Sequence, residues 1–155
     1  MTTITLVDTS VLVELLEVPG KNQHSAEVQA EFVGRQQAGE RFMLPMTAII
    51  ETGNHIAQVK TGNRRAAAER FVAFVAKAMS DAPPWTLAEV TWDAEALGQL
   101  CRGDSTGMNF VDLAGNAMLG AGDVAILVER DLLKRRSATT TVQVWTLEAT
   151  LGSLA

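Results

Sequence analysis

The sequence predicts an α/β protein: a central parallel sheet of about four or five strands with helices on both faces, in one domain spanning 1–155. Three observations carry that reading. The first strand-like run, Thr3 to Val7, has β-branched or apolar residues at both parities, the pattern of a strand covered on both faces. Short runs of this kind alternate with longer stretches of helical period, in the order β-α-α-β-α-α-β-α-α-β-α. No internal repeat, low-complexity tract or linker marks a second unit.

Asp8 ends the first strand, and Ser10 is placed to cap a helix whose Val11, Leu12, Leu15 and Leu16 recur at helical spacing. Read alone, Asp8 and Ser10 are turn and cap residues. Against a parallel sheet, Asp8 stands at the carboxyl edge, where open α/β sheets bind ligands. Val18 to Asn22 is a turn, Gln23 to Gln37 a second helix with Val28, Phe32 and Val33 apolar, and Gly39 its stop. Arg41 to Pro45 reads as the second strand, which Pro45 keeps from running on. Thr47 then caps a helix to about Lys60, with Ile49, Ile50, Ile56, Ala57 and Val59 apolar and Glu51 one turn in. The helix dipole favours a carboxylate there, so Glu51 by itself is a stabilising surface acid. Gly53, inside this helix, costs about 1 kcal/mol relative to alanine. His24 and His55 have no histidine or cysteine partner at metal-ligand spacing and read as ordinary residues.

Arg64 to Met79 has the clearest helical period, and Phe71, Val72, Phe74, Val75, Ala78 and Met79 form an apolar stripe expected in the core. The other face carries Arg64, Arg65, Arg70 and Lys77, a solvated face or, beside an acidic pocket, a set of phosphate contacts. Asp81 to Trp85 is a turn, Thr86 to Thr91 the third strand, and Asp93 the cap of a helix to about Cys101. A polar loop from Arg102 to Gly107 leads into a helical segment, Met108 to Leu119, that carries Asp112. Gly120, Gly122 and Ala125 satisfy a G-x-G-x-x-A pattern but follow no clear strand, which makes a dinucleotide site a weak reading. Asp123 starts a helix to about Arg136, whose Lys134, Arg135 and Arg136 suit its negative end. Thr139 to Thr146 is the fourth strand, with Leu147-Glu148 and a short helix after it.

A chain of 155 residues buries roughly 70% of its unfolded surface without a staple. Cys101 is the only cysteine, which excludes an internal disulfide and a thiolate zinc cluster and fits a reducing cytoplasm. A leader and any apolar window of ~18 residues are lacking, so a cytoplasmic protein without membrane contact is expected. The net charge of −5 argues against coating nucleic acid through bulk charge. It is compatible with a nuclease, whose metal-binding carboxylates contribute to that count.

Asp8, Glu51, Asp123 and Glu148 occupy equivalent places, each just after a strand or early in a helix. Gathered at one end of a parallel sheet they would repel one another unless cations were bound. Hard oxygen donors select magnesium or manganese, which activate water and neutralise a phosphodiester under attack. Val7-Asp8-Thr9-Ser10, Glu51, Gly122-Asp123-Val124-Ala125-Ile126 and Thr146-Leu147-Glu148 together resemble the PIN-domain ribonucleases, in particular the single-domain toxins of VapBC-type toxin–antitoxin pairs. The first segment matches the V-D-T/S-S/N opening, the third the G-D-A-x-I helix start, and the last the closing T-x-D with glutamate for aspartate.

The resemblance spans essentially the whole chain and implies a Mg2+- or Mn2+-dependent endoribonuclease with a PIN-like fold. It implies that Asp8, Glu51 and Asp123 hold a first metal, that Glu148 helps with that or a second ion, and that Ser10 and Thr146 orient ligands. The expected partners are single-stranded or looped RNA, a second copy in a homodimer, and an antitoxin protein. Arg64, Arg65, Arg135 and Arg136 are the candidate phosphate contacts. Asp112 is an alternative third acid, because Asn109 to Ala114 also resembles the family's S-x-x-D-A pattern, and Asp104 is another. Two other functions stand beside this one. A haloacid-dehalogenase-like phosphatase also opens with strand–Asp, but wants a second aspartate where this chain has Ser10. A non-catalytic PIN-fold module binding RNA or protein would explain Glu148 as a degraded position.

Overall fold

The structure, a computed structural model, describes residues 2–87 and 89–155. In chain order its elements are β1 (Thr2–Val7), α1 (Thr9–Leu15), α2 (Ser25–Gln37), β2 (Arg41–Met43), α3 (Met46–Ala57) and α4 (Arg64–Met79). There follow α5 (Ala94–Cys101), a 3-10 turn (Asp104–Thr106), α6 (Phe110–Gly115), α7 (Ala121–Arg136), β3 (Thr140–Trp145) and α8 (Ala149–Gly152).

Among the described residues the sheet has three strands, not four or five, all parallel, in the order β2-β1-β3. Neighbouring residues along each strand face opposite cores. Leu6, Met43 and Val144 pack with Ala96 of α5, Leu113 of α6, Val124, Ile126, Leu127 and Val128 of α7 and Leu151 of α8. Val7, Phe42 and Trp145 pack with α1, with Val28 of α2, Ile56 of α3 and Ala67 and Ala78 of α4. Helices thus cover both faces, which is why the strands carry apolar residues at both parities.

The missing strand is Thr86 to Thr91, of which Ala88 lies outside the described residues. Among the described residues only one rung forms: Trp85 bridges Phe42, whose N–H donates to the Pro84 carbonyl (2.7 Å) and whose carbonyl accepts from Thr86 N–H (3.0 Å). β2 offers just three residues, and neither Pro83 nor Pro84 has an N–H to extend the ladder. The segment is held instead by the Trp85 ring, 5.9 Å from Phe42 and edge-on to Phe74 at 5.1 Å.

Several local expectations shift. α1 begins at Thr9, so Ser10 lies inside its first turn and Asp8 takes the cap position. α3 begins straight after Pro45, and the buried Thr47 hydroxyl has no partner rather than capping the helix. α7 starts two residues before Asp123. The 108–119 segment yields only α6, capped by the Asn109 side chain accepting from Asp112 N–H at 2.9 Å. Asp93 does cap α5, accepting from Ala96 N–H at 2.9 Å. On α4 the packed line is Ala67, Phe71, Phe74 and Ala78, a run of i, i+4, i+7, i+11. Val72 and Met79 sit one residue round the helix from that line and are 66% and 61% exposed, outside the core.

Candidate functional site

Parallel pairing in register sets Val7 beside Trp145, so β1 and β3 end together and Asp8 N–H donates to the Trp145 carbonyl at 3.0 Å. β1 is the central strand, with β2 on one side and β3 on the other. The carboxyl end of such a strand is where an open sheet forms its crevice. Asp8, 3% exposed, is fixed there by two hydroxyls on one oxygen: Ser10 Oγ (2.8 Å) and Thr146 Oγ1 (2.7 Å) both donate to Oδ2. Those hydroxyls are held in turn by Leu147 N–H on Ser10 Oγ (2.9 Å) and Glu148 N–H on Thr146 Oγ1 (3.0 Å). Hydrogen bonds to a carboxylate contribute about 1.5–3 kcal/mol each, enough to fix its rotamer. Oδ1 has no hydrogen-bond partner among the described residues.

Glu51 enters from the second turn of α3 and accepts from Thr9 Oγ1 at 3.2 Å. It lies against α7 at Gly122, where an added Cβ would fall 1.9 Å from Glu51 Oε1. The glycine before Asp123 is therefore the space that Glu51 occupies. Asp123 accepts from Gly120 N–H at 3.2 Å in the first turn of α7. Glu148 follows β3 at the cap position of α8.

All four acids line one cavity of about 410 Å³. Burial raises the Glu51 carboxyl above its usual range, and the charges of Asp123 and Asp8 add to this against the Thr9 hydrogen bond. Burial and Asp8 raise Asp123 against the Gly120 N–H, and burial with Asp123, Asp8 and Glu51 raises Glu148. Among the described residues none of the four forms an ion pair. No three His, Cys, Asp or Glu side chains among those residues are already drawn into a metal-sized group. The donor set nonetheless fits a divalent cation: carboxylate oxygens of unmatched charge, whose mutual repulsion a hard ion would relieve.

The alternatives for the third acid lie elsewhere. Asp112 is exposed on α6, and Asp104 lines a separate cavity with Asp131. The four candidate arginines are also off the cavity lining. Arg64 reaches the Ala57 and Val59 carbonyls, Arg65 pairs with Glu69 at 3.4 Å, and Arg135 stands beside Glu95 at 4.0 Å, while Arg136 is exposed near the end of α7. Arg70 has a structural task, donating to the Leu16 and Glu17 carbonyls at the end of α1.

Four further titratable residues line the cavity: Glu14, Lys21, His24 and His55. Glu14 is 5% exposed and accepts from His24 N–H at 3.1 Å. Its signal in the sequence is a single acid inside the apolar run Val11 to Leu16. His55 lies four residues after Glu51, hence on the same side of α3, a spacing that could have marked it. Nothing local marks Lys21 or His24, which reach the cavity because the α1–α2 turn borders it. Among the described residues no helix is long and apolar enough to cross a membrane. No family model matches this chain, and no curated protein or solved structure matches it either.

Proposed function

We propose that this chain is a Mg2+- or Mn2+-dependent endoribonuclease of PIN type, with the Asp8, Glu51, Asp123 and Glu148 cavity as its active site. The observation that carries the proposal is that four carboxylates from four distant parts of the chain line one cavity, with none of them ion-paired among the described residues. A divalent ion bound there supplies a water of lowered pKa and charge neutralisation for a phosphodiester.

The chain's own residues have defined tasks in this reading. Asp8, Glu51 and Asp123 are the ligands, with Glu148 at the open side, where its longer arm stands in for aspartate. Ser10 and Thr146 orient Asp8 through Oδ2, and Thr9 orients Glu51. Gly122 leaves the room in which Glu51 lies. Ser10 occupies the place where a phosphatase of haloacid-dehalogenase type needs an aspartate, which favours the nuclease. The toxin role, the antitoxin partner and the homodimer belong to the same proposal and are supported by the sequence resemblance. The test is incubation with a mixed RNA pool and Mn2+, with and without chelator. Fragments that appear only with metal support the reading; intact RNA in both arms refutes it and leaves a binding module.

A further inference from the structure

The acid cavity does not end at its own rim. Gly20, Lys21 and His55 line it and also line a second cavity of about 430 Å³, whose other wall includes Val59, Lys60 and Thr61. The trough runs between the α1–α2 turn and the segment after α3. Its walls are fixed against each other at Gly62, where φ is +102° and an added Cβ would lie 2.9 Å from Pro19. The two cavities differ in charge. The first is lined by five carboxylates with Lys21 at its edge, the second by Lys21 and Lys60 and, among the described residues, by no acid. Both lysines are exposed, and neither forms an ion pair among the described residues. Lys21 is close enough that its charge, after burial, helps hold His55 below the usual histidine range.

A ligand running from one cavity to the other meets ammonium groups first and the catalytic carboxylates second. It must be anionic along its length and reactive at the acid end. An acidic peptide has the charge but nothing for the carboxylates to act on, whereas a phosphodiester chain has both. Resting on the nuclease reading above, we propose that Lys21 and Lys60 form a track for the phosphates beside the scissile one. The substrate is then a single-stranded polyribonucleotide that extends past the cut, bound by local contacts that offset the chain's net charge of −5.

The experiment is fluorescence anisotropy with a labelled single-stranded RNA of about 12 nucleotides, in EDTA and over a salt series, because each phosphate contact adds about 0.7 to the log–log salt slope. Three proteins are compared: wild type, K21A/K60A, and the charge-matched R65A/R136A. The track predicts that K21A/K60A binds about 10-fold more weakly with a slope shallower by about 1.4, while R65A/R136A changes affinity less than about 2-fold. Should the double variant melt early, the single variants K21Q and K60Q each lower the slope by about 0.7. Equal losses in the two double variants, no loss in either, or displacement of RNA by polyglutamate at equal charge would each overturn the track. Metal-dependent cleavage of the same RNA by wild type is scored in parallel. If wild type cuts it and the double variants bind alike, the track falls and the nuclease stands; if wild type neither binds nor cuts, both fall.

Discussion

Helix α7 carries two acid clusters that resolve their charge in opposite ways. At its first turn Asp123 joins Asp8, Glu51 and Glu148 in a cavity where hydroxyls and backbone N–H groups orient the carboxylates and, among the described residues, none of the four is ion-paired. Two turns on, Asp131 meets Arg130, 5% exposed, whose Nε donates at 2.8 Å. The same guanidinium reaches Ser105 Oγ at 3.0 Å and the Leu154 carbonyl. Asp104 completes that cluster, its carboxyl pushed up to about 6 by burial and by Asp131. A cluster that serves the fold brings its own cation, because an uncompensated buried charge costs several kcal/mol. One that leaves its charge open fits the proposed uptake of a cation from outside.

The comparison breaks most visibly at Asp8. Asp8→Asn keeps an acceptor for Ser10 and Thr146 but removes the ligand's negative charge; RNA cleavage with saturating Mn2+ is expected to fall by roughly 10³-fold or more with the melting temperature little changed. In the other cluster Arg130→Met leaves Asp131 without its cation. Urea denaturation should show a loss of about 3–5 kcal/mol, with Mn2+ stoichiometry unchanged where the protein remains folded. Gly122→Ala displaces Glu51 rather than backbone, so a Mn2+ titration should lose about 10–100-fold in affinity at small cost in stability.

Glu129, between the two clusters on α7, shows a third solution: 3% exposed, it is pushed up to about 7 by burial, against a hydrogen bond with Trp92. The folded protein keeps a proton there that the unfolded chain releases near 4.5. Its contribution is full below that value and is lost as pH rises through 7. Glu129→Gln should therefore gain on wild type by roughly 2 kcal/mol in urea midpoints between pH 5 and pH 8.

What the sequence made legible was whatever depends on neighbours along the chain. The alternation at Ile4 to Val7 announced a strand buried on both faces, and Asp93 announced a cap. The positions of Asp8, Glu51, Asp123 and Glu148 after strands or at helix starts followed from the same local grammar. What depends on distant partners was hidden. Thr86 to Thr91 has strand composition, yet a three-residue β2 and two prolines leave it a single rung. Ser10 has cap chemistry, but Thr146, 136 residues away, draws it into the Asp8 network. Lys21 and His55 acquire a role only because the α1–α2 turn and α3 border one cavity.

The most direct test of the open acid edge is calorimetric titration of Mn2+ into wild type and Asp8→Asn, in chelator-stripped buffer at neutral pH. Wild type is expected to take up Mn2+ saturably at or below millimolar concentration, and Asp8→Asn to take up none. Wild type that takes up no Mn2+ at millimolar concentration, or an Asp8→Asn protein that binds it equally, would show that the acid edge is not a cation site.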